Sequence, residues 1–181
     1  MPVIYTIGHS TRPIDEFIDI LKSHEITRLV DIRTVPKSRH NPQYWQDALR
    51  ESLEAAGIEY VYMKSLGGLR PKSKGSINDG WRNQSFRNYA DYMQTQEFAS
   101  TLEELIELAS ENVTAIMCAE AVPWRCHRSL VSDALLVRGI ESTEIISASS
   151  ERTHKLTPFA DVDGTTIIYP KSAISHPDEG T

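Results

Sequence analysis

The sequence is poor in cysteine and has no long hydrophobic segment. Only two cysteines stand among its 181 residues, which argues against a disulfide-stabilised secreted scaffold and favours a reducing compartment. The apolar runs are far shorter than the roughly 20 residues that a membrane-spanning helix needs. Residues 1–6 show no basic segment followed by an apolar one, which predicts that no signal peptide is present. These absences together predict a soluble, cytoplasmic protein that makes no use of the membrane.

Internal repeats and low-complexity segments are also absent, and the composition is that of an ordinary globular domain. Hydrophobic residues make up 40% of the chain and charged residues 24%, and a chain of this length can bury one core. We therefore predict one α/β domain over residues 1–170 and a flexible, polar tail over residues 171–181.

Strand-like apolar runs alternate with segments of helical periodicity. The apolar residues between Ile14 and Leu21, for example, recur at the spacing of one helix face. Strands are predicted over residues 3–8, 28–33, 59–63, 113–119 and 143–148. Helices are predicted over residues 14–21, 42–56, 86–110 (broken near Gln96) and 127–138.

This alternation indicates βαβ units with right-handed crossovers. The resulting fold is a mostly parallel, five-stranded sheet with helices on both faces, which is a Rossmann-like, doubly wound architecture. Residues 159–169 differ, because two short strand-like runs flank Asp163-Gly164, a dipeptide that favours a hairpin turn. A small C-terminal hairpin is therefore expected.

Positive charge is concentrated in three segments that leave predicted strands. Residues 33–41, 64–87 and 119–128 hold 11 of the 19 basic residues and only 2 of the 25 acidic ones. They carry a net charge of about +9 and the rest of the chain about −15. Ligands of open α/β sheets bind beyond the carboxyl ends of the strands, so these basic loops predict a cationic edge that attracts anions. The simpler alternative is that the lysines only keep a flexible loop soluble and bind no ligand.

Aromatic side chains accompany these cations. Trp81 and Trp124 lie inside the basic loops, and Tyr44 and Trp45 follow one of them. Cations interleaved with flat rings are typical of proteins that stack nucleic-acid bases. Trp45 has the spacing of a buried helix position, so Trp81 is the better candidate for a ring that faces a ligand.

Four short strings stand at the carboxyl ends of predicted strands. They are Gly8-His9-Ser10, Asp31-Ile32-Arg33 with Ser38-Arg39, Leu66-Gly67-Gly68, and Cys118-Ala119-Glu120 with Arg125-Cys126-His127-Arg128. If the first and fourth strands are neighbours, His9 faces Cys118 and Glu120.

Several chemistries fit these residue types. Cys126 near a helix N-terminus and beside arginines has the setting of a reactive thiolate. Glu120 with His9 could act as an acid/base pair, and Arg125 with Arg128 could hold a phosphate.

Other interpretations stay open for the same residues. Cys118, Cys126 and His127 are zinc-type ligands, although their spacing matches no familiar zinc finger. A Cys118–Cys126 redox pair is a further alternative. Cys118 could equally be a small buried hydrophobe, and Asp31 could be a structural acid that orders Arg33.

Taken together, the four strings resemble the bacterial and archaeal family called domain of unknown function 488. The resemblance covers most of residues 3–170, including the segment from His154 to Tyr169, and the strings occur in the same order. It implies a compact α/β domain with a shared site on these strings, and it supplies no reaction.

We therefore predict an enzyme that binds an anionic, phosphate-bearing ligand, either a nucleotide or a small phosphorylated molecule. The alternatives are a protein that binds or acts on nucleic acid through its basic loops, and a thiol-redox or zinc-dependent regulator. No cofactor is predicted. The predicted catalytic residues are His9, Glu120, Cys126 and His127. The predicted ligand-binding residues are Ser10, Asp31, Arg33, Ser38, Arg39, Gly67, Gly68, Trp81, Arg125 and Arg128.

Overall fold

The computed structural model describes residues 3–174, and within them the chain forms five α-helices and eight strands. The helices are α1 (Ile14–Ser23), α2 (Gln46–Ala55), α3 (Gln84–Tyr92), α4 (Gln96–Glu111) and α5 (Arg128–Leu136). The strands are β1 (Val3–Gly8), β2 (Arg28–Asp31), β3 (Glu59–Tyr62), β4 (Thr114–Cys118), β5 (Glu141–Ser147), β6 (Ser150–Thr153), β7 (Asp161–Asp163) and β8 (Thr166–Ile168).

The first six strands form one sheet in the order β3-β2-β4-β1-β5-β6. Strands β1 to β5 are parallel, and β6 returns antiparallel to β5. The prediction of five strands was therefore one strand short. All four residues of β6 are exposed, so this edge strand has no apolar alternation by which the sequence could reveal it.

The register of the parallel strands brings their ends to one edge. Gly8 at the end of β1 pairs with Cys118 at the end of β4, and Asp31 at the end of β2 pairs with Met117. The first and fourth strands, whose adjacency the sequence left as an assumption, are neighbours, and β4 lies between β1 and β2. The four polar strings consequently start from adjacent strands.

Two hydrophobic clusters separate the helices into two groups. One cluster joins α1 and α2 to alternate strand residues such as Ile7 and Leu29. The other joins α3, α4 and α5 to strand residues such as Ile4 and Val30. Since successive side chains of a strand point to opposite faces, the sheet is covered by helices on both faces.

The C-terminal segment is attached to α5 through one buried carboxylate. Asp133 accepts hydrogen bonds from the Tyr169 hydroxyl (2.8 Å) and the Thr157 backbone amide (3.1 Å), and pairs with the His154 ring (2.7 Å). Strands β7 and β8 form the predicted hairpin. This network holds the segment that follows β6 against the middle of α5.

Of the predicted tail over residues 171–181, the structure describes residues 171–174, and residues 175–181 lie outside the described residues. Lys171–Ala173 forms a short 3-10 turn, and the Lys171 amide donates to the Asp79 carboxylate (2.7 Å). In residues 3–174, no helix combines the length and the apolar character that crossing a membrane requires.

Candidate functional site

The loop after β4 crosses the end of β1 at a very short distance. A Cβ at Gly8 would lie 1.9 Å from the Glu120 carbonyl oxygen, so only glycine is tolerated there without a shift of the backbone. The backbone amides of His9 and Ser10 donate to the carbonyl oxygens of Cys118 and Ala119 (2.9 and 3.0 Å). Gly8 therefore brings the first and fourth strings into direct contact.

A cavity of about 350 Å³ opens at this edge of the sheet, and we call it the edge cavity. Most of the predicted strings contribute to its wall. From the predicted site, its lining contains Arg33, Gly68, Cys118, Glu120, Arg125, Cys126 and His127.

Arg33 is held by a buried acid and keeps one donor group unused. Its Nε and Nη2 donate to the two carboxylate oxygens of Asp31 (2.9 and 2.7 Å), and the Tyr60 hydroxyl donates to the same carboxylate (2.6 Å). Asp31 is wholly buried and Arg33 only 6% exposed. The Nη1 group of Arg33 is buried and has no hydrogen-bond partner within residues 3–174. Asp31 thus orders Arg33, while Nη1 can still bind an acceptor.

Within residues 3–174 the ring of His9 forms no hydrogen bond with the side chain of Glu120. It stacks on Tyr44 with ring centres 4.0 Å apart, and its Nδ1 lies 2.7 Å from the Ser10 carbonyl oxygen. A carbonyl only accepts, so Nδ1 carries the proton and Nε2 has the lone pair. Nε2 is buried without a partner in the described chain. Burial lowers the pKa of His9 to about 4, and the charge of Arg33 contributes to the shift.

His127 lies in the wall of the edge cavity as a neutral ring. Its Nε2 donates to the Ile32 carbonyl oxygen (3.2 Å), and the ring packs against Tyr89. Burial lowers the pKa of His127 to about 4. A Cβ at Gly68 would lie 2.6 Å from the His127 Nδ1, so glycine lets this loop contact the imidazole.

The neighbouring Gly67 is equally constrained. A Cβ there would meet the Thr34 side chain at 2.6 Å, and the Thr34 hydroxyl accepts a hydrogen bond from the Leu69 amide (2.9 Å). The two glycines therefore pack the loop after β3 against the loop after β2 and against His127.

Cys118 and Cys126 form a disulfide that joins the end of β4 to the segment before α5. The loop over residues 119–125 folds back and brings the two side chains together. Their α-carbons are 7.4 Å apart. Cys126 Sγ also lies 3.6 Å from the His127 Nδ1. A nucleophilic Cys126 consequently requires the reduced form of this pair.

Arg128 is fully buried, and all of its side-chain donors are in use. Its Nε and Nη2 donate to the Glu144 carboxylate (3.3 and 2.7 Å), and Nη2 also donates to the Ala121 carbonyl oxygen. Nη1 donates to Cys118 Sγ (2.8 Å) and to the Glu120 carbonyl oxygen. An arginine has five side-chain N–H groups, so Arg128 has none left for a ligand. These bonds hold the loop after β4, and the predicted role of Arg128 in ligand binding would require one of them to break.

Two charged residues stand at the mouth of the edge cavity. Glu120 is exposed, and its carboxylate accepts a local hydrogen bond from the Val122 amide (3.1 Å). Arg125 is exposed in a short 3-10 turn that precedes Cys126. Both side chains remain accessible to a ligand.

Eight predicted residues lie outside the lining of the edge cavity, namely Ser10, Ser38 and Arg39 together with His9, Asp31, Gly67, Trp81 and Arg128. Ser10 lies in the turn after β1 and has a positive φ of 52°, a conformation that residues other than Gly, Asn and Asp adopt rarely. Ser38 accepts a hydrogen bond from the Asn41 side chain (3.1 Å), and Arg39 is exposed.

The three tryptophans differ in their exposure. Trp81 packs edge-on against Phe86 and Phe159, with ring centres 5.0 and 4.8 Å apart, and it also lines a second cavity near the start of α5. Trp124 is 65% exposed. Trp45 is 42% exposed rather than in the core, because α2 begins only at Gln46.

Sequence reasoning missed the residues that hold the site together. The three contacts are those of His9 with Tyr44, Gly67 with Thr34, and Arg128 with Glu144. The partners are distant in the sequence, so no sequence pattern predicts these contacts. Gly8 carries a readable signal, since a glycine at the end of a strand often marks a close backbone approach.

Within the described residues, no group of three or more His, Cys, Asp or Glu side chains is arranged to hold a metal ion. The comparisons with known proteins give one match. The family described as Domain of unknown function DUF488 matches residues 13–135. No curated protein and no solved structure matches the chain.

Proposed function

The chain belongs to the family Domain of unknown function DUF488, and for this member we propose an enzyme that binds an anionic, phosphate-bearing ligand in the edge cavity. The ligand class is a nucleotide or a small phosphorylated molecule. The favoured reaction class is hydrolysis or transfer at the phosphate-bearing substrate.

The observation that carries the proposal is the unused Nη1 group of Arg33. A buried N–H group without an acceptor is unfavourable, and Arg33 lines the edge cavity, where a ligand oxygen could satisfy it. Arg125 adds a second cation at the mouth. Charge-assisted bonds from arginine to phosphate are among the stronger hydrogen bonds in proteins. The edge cavity therefore has the donors that a phosphate needs.

The position of the cavity supports the same proposal. We interpret the sheet as Rossmann-like and doubly wound, with α1 and α2 on one face and α3 to α5 on the other. Open sheets of this kind bind ligands beyond the carboxyl ends of their strands. The edge cavity lies at the ends of β2 and β4, between the basic loops.

Proton transfer is assigned to His9 and, at the mouth, to Glu120. His9 lies outside the lining of the edge cavity. Its buried Nε2 has a lone pair and no partner within residues 3–174, and we propose that it accepts a proton from a ligand bound to Arg33, whose charge acts on the His9 ring. His127 and Cys126 line the edge cavity. Cys126 can act as a nucleophile only after its disulfide with Cys118 is reduced. These roles complete the proposed site.

Calorimetric titration with inorganic pyrophosphate tests the binding half of this proposal. We expect saturable binding by the wild type and binding about tenfold weaker or more in Arg125→Gln, because one charge-assisted bond is lost. Arg50→Gln, an equal charge change on the surface of α2, should bind like the wild type. Absence of binding by the wild type, or equal weakening by both variants, would overturn the proposal.

Turnover tests the enzymatic half. Phosphate release from a set of nucleotides and sugar phosphates should be lost in His9→Asn, while pyrophosphate binding by that variant persists. If His9→Asn turns over at the wild-type rate, His9 is not the base.

Nucleic acid is the second candidate ligand, and one surface favours it. Lys72, Lys74 and Arg87 line a separate basic depression on the loop between β3 and α3. A single-stranded nucleic acid whose phosphates lie along these cations should bind with an affinity that falls steeply as the salt concentration rises, because binding releases counterions. Fluorescence anisotropy of a labelled single-stranded oligonucleotide tests this. Weakening by a Lys72→Gln, Lys74→Gln double variant but not by Arg125→Gln would favour nucleic acid over the small ligand.

A further inference from the structure

A second cavity, of about 550 Å³, lies between the start of α5 and the segment that follows β6, and we call it the α5 cavity. It shares no lining residue with the edge cavity. The loop after β4 stands between the two, since Trp124 lines the α5 cavity and Arg125 lines the edge cavity. The α5 cavity can therefore be tested separately.

A buried carboxylate contributes to the lining of this cavity. Glu144 is 6% exposed, and it accepts hydrogen bonds from the Thr6 hydroxyl and from the guanidinium of Arg128. Its Oε1 accepts one hydrogen bond, from the Arg128 Nη2. A carboxylate oxygen has two lone pairs, so Oε1 can accept another bond from an N–H group of a ligand.

The outer wall combines an exposed ring with two cations. The Arg152 guanidinium lies 5.8 Å from the centre of the Trp124 ring, and Lys155 follows in the same wall. Both cations are exposed, and neither forms a salt bridge with an acidic side chain in residues 3–174. The pairing of His154 with Asp133 holds this wall in position.

These features suit one class of ligand. The exposed indole offers a flat surface on which another ring can stack, the free cations attract a negative group, and Glu144 accepts an N–H donor. We propose that the α5 cavity is a second binding site, for a planar heteroaromatic ring that carries an anionic group, as in a purine nucleoside monophosphate. This site does not depend on the function proposed for the edge cavity.

Tryptophan fluorescence with AMP as the probe tests the proposal. AMP should quench the wild type with saturation, and Trp124→Leu and Arg152→Gln should each weaken binding about tenfold, because one stacking or charge contact is lost. Trp45→Leu and Arg50→Gln, which lie outside this cavity, should bind like the wild type. Binding of AMP by the two tryptophan variants is measured by calorimetry instead, because each has lost a fluorophore.

Two further probes separate the two cavities. Ribose 5-phosphate keeps the phosphate but lacks the ring, so it should compete with AMP only at a concentration about tenfold higher or more, because the stacking contact with Trp124 is lost. Loss of AMP binding in Arg125→Gln with full binding in Arg152→Gln would overturn this inference and support the edge cavity instead. Absence of saturable AMP binding by the wild type would overturn it as well, and pyrophosphate binding would then still decide the proposed function.

Discussion

Two buried arginines stand at the same edge of the sheet, each beside a buried acid, and they differ in their unused donors. Arg128 pairs with Glu144, and its five side-chain N–H groups all reach protein acceptors. Arg33 pairs with Asp31, and its Nη1 group reaches none within residues 3–174. Only Arg33 lines the edge cavity.

We propose that this difference separates a structural arginine, Arg128, from a ligand-binding one, Arg33. Charge and burial are similar in both cases, so neither property distinguishes the roles. An inventory of hydrogen-bond donors does, because a fully bonded guanidinium must give up an internal contact before it can bind a ligand.

The largest effect is expected from Arg128→Met. Removing this partner leaves the Glu144 carboxylate buried without its counter-charge, which typically costs about 3–5 kcal/mol of unfolding free energy. Urea denaturation measures the loss. The double variant Arg128→Met, Glu144→Gln should recover part of the lost stability, because the uncompensated charge is gone. A loss below about 1 kcal/mol in Arg128→Met, the range of an exposed ion pair, would contradict a structural role.

The second effect is a loss of stability in mild acid. Burial lowers the pKa of His9 and His127 to about 4 from an ordinary value of 6.5. Between these values the unfolded chain binds protons that the folded chain does not, so the free energy of unfolding falls as the pH drops from 6.5 toward 4. Each pKa unit corresponds to about 1.4 kcal/mol, which predicts a loss on the order of 3 kcal/mol for each histidine by pH 4.

Denaturation between pH 4 and pH 7 measures this dependence. His9→Asn should flatten the curve, since the variant lacks one of the two groups. An unchanged slope in His9→Asn would contradict a neutral, buried His9.

A smaller effect is expected when the Arg33 pair is replaced as a unit. The double variant Asp31→Asn, Arg33→Gln removes both charges, so no buried carboxylate is left unpaired and the chain should fold. It should bind pyrophosphate about tenfold more weakly or worse, because a hydrogen bond to a charged group contributes about 1.5–3 kcal/mol. Calorimetry checks this, and unchanged affinity would remove Arg33 from the site.

The smallest effect is expected at the loop that touches His127. Gly68→Ala brings a Cβ to 2.6 Å from the ring nitrogen, and such overpacking typically costs about 1–3 kcal/mol. Thermal denaturation measures it, with Gly75→Ala as a contrast, since a Cβ there meets nothing within 4 Å and only its positive φ opposes alanine. A larger loss at Gly75 would show that packing on His127 is unimportant.

The sequence predicts the elements better than their arrangement. Periodicity indicates β1 to β5 and the five helices, including the break near Gln96, because each depends on local spacing. Strand order depends on crossovers between distant segments, so the position of β4 between β1 and β2 had to come from the structure. The short, exposed strand β6 has no local pattern at all.

The same limit applies to the site. The strings at the strand ends identify most of the edge cavity, because parallel strands bring their carboxyl ends together. Side-chain partners are not readable, so Arg128 resembles a ligand-binding residue in the sequence, and the stacking of His9 on Tyr44 has no signature. The disulfide between Cys118 and Cys126 depends on how the intervening loop folds back.

Nuclear magnetic resonance of the arginine side chains tests the comparison most directly. Nitrogen-15 signals of the guanidinium groups are followed while inorganic pyrophosphate is added to the wild-type protein. The account predicts that the signals of Arg33 and Arg125 shift with saturation and that those of Arg128 stay in place. A shift of Arg128 with no change at Arg33 would contradict it.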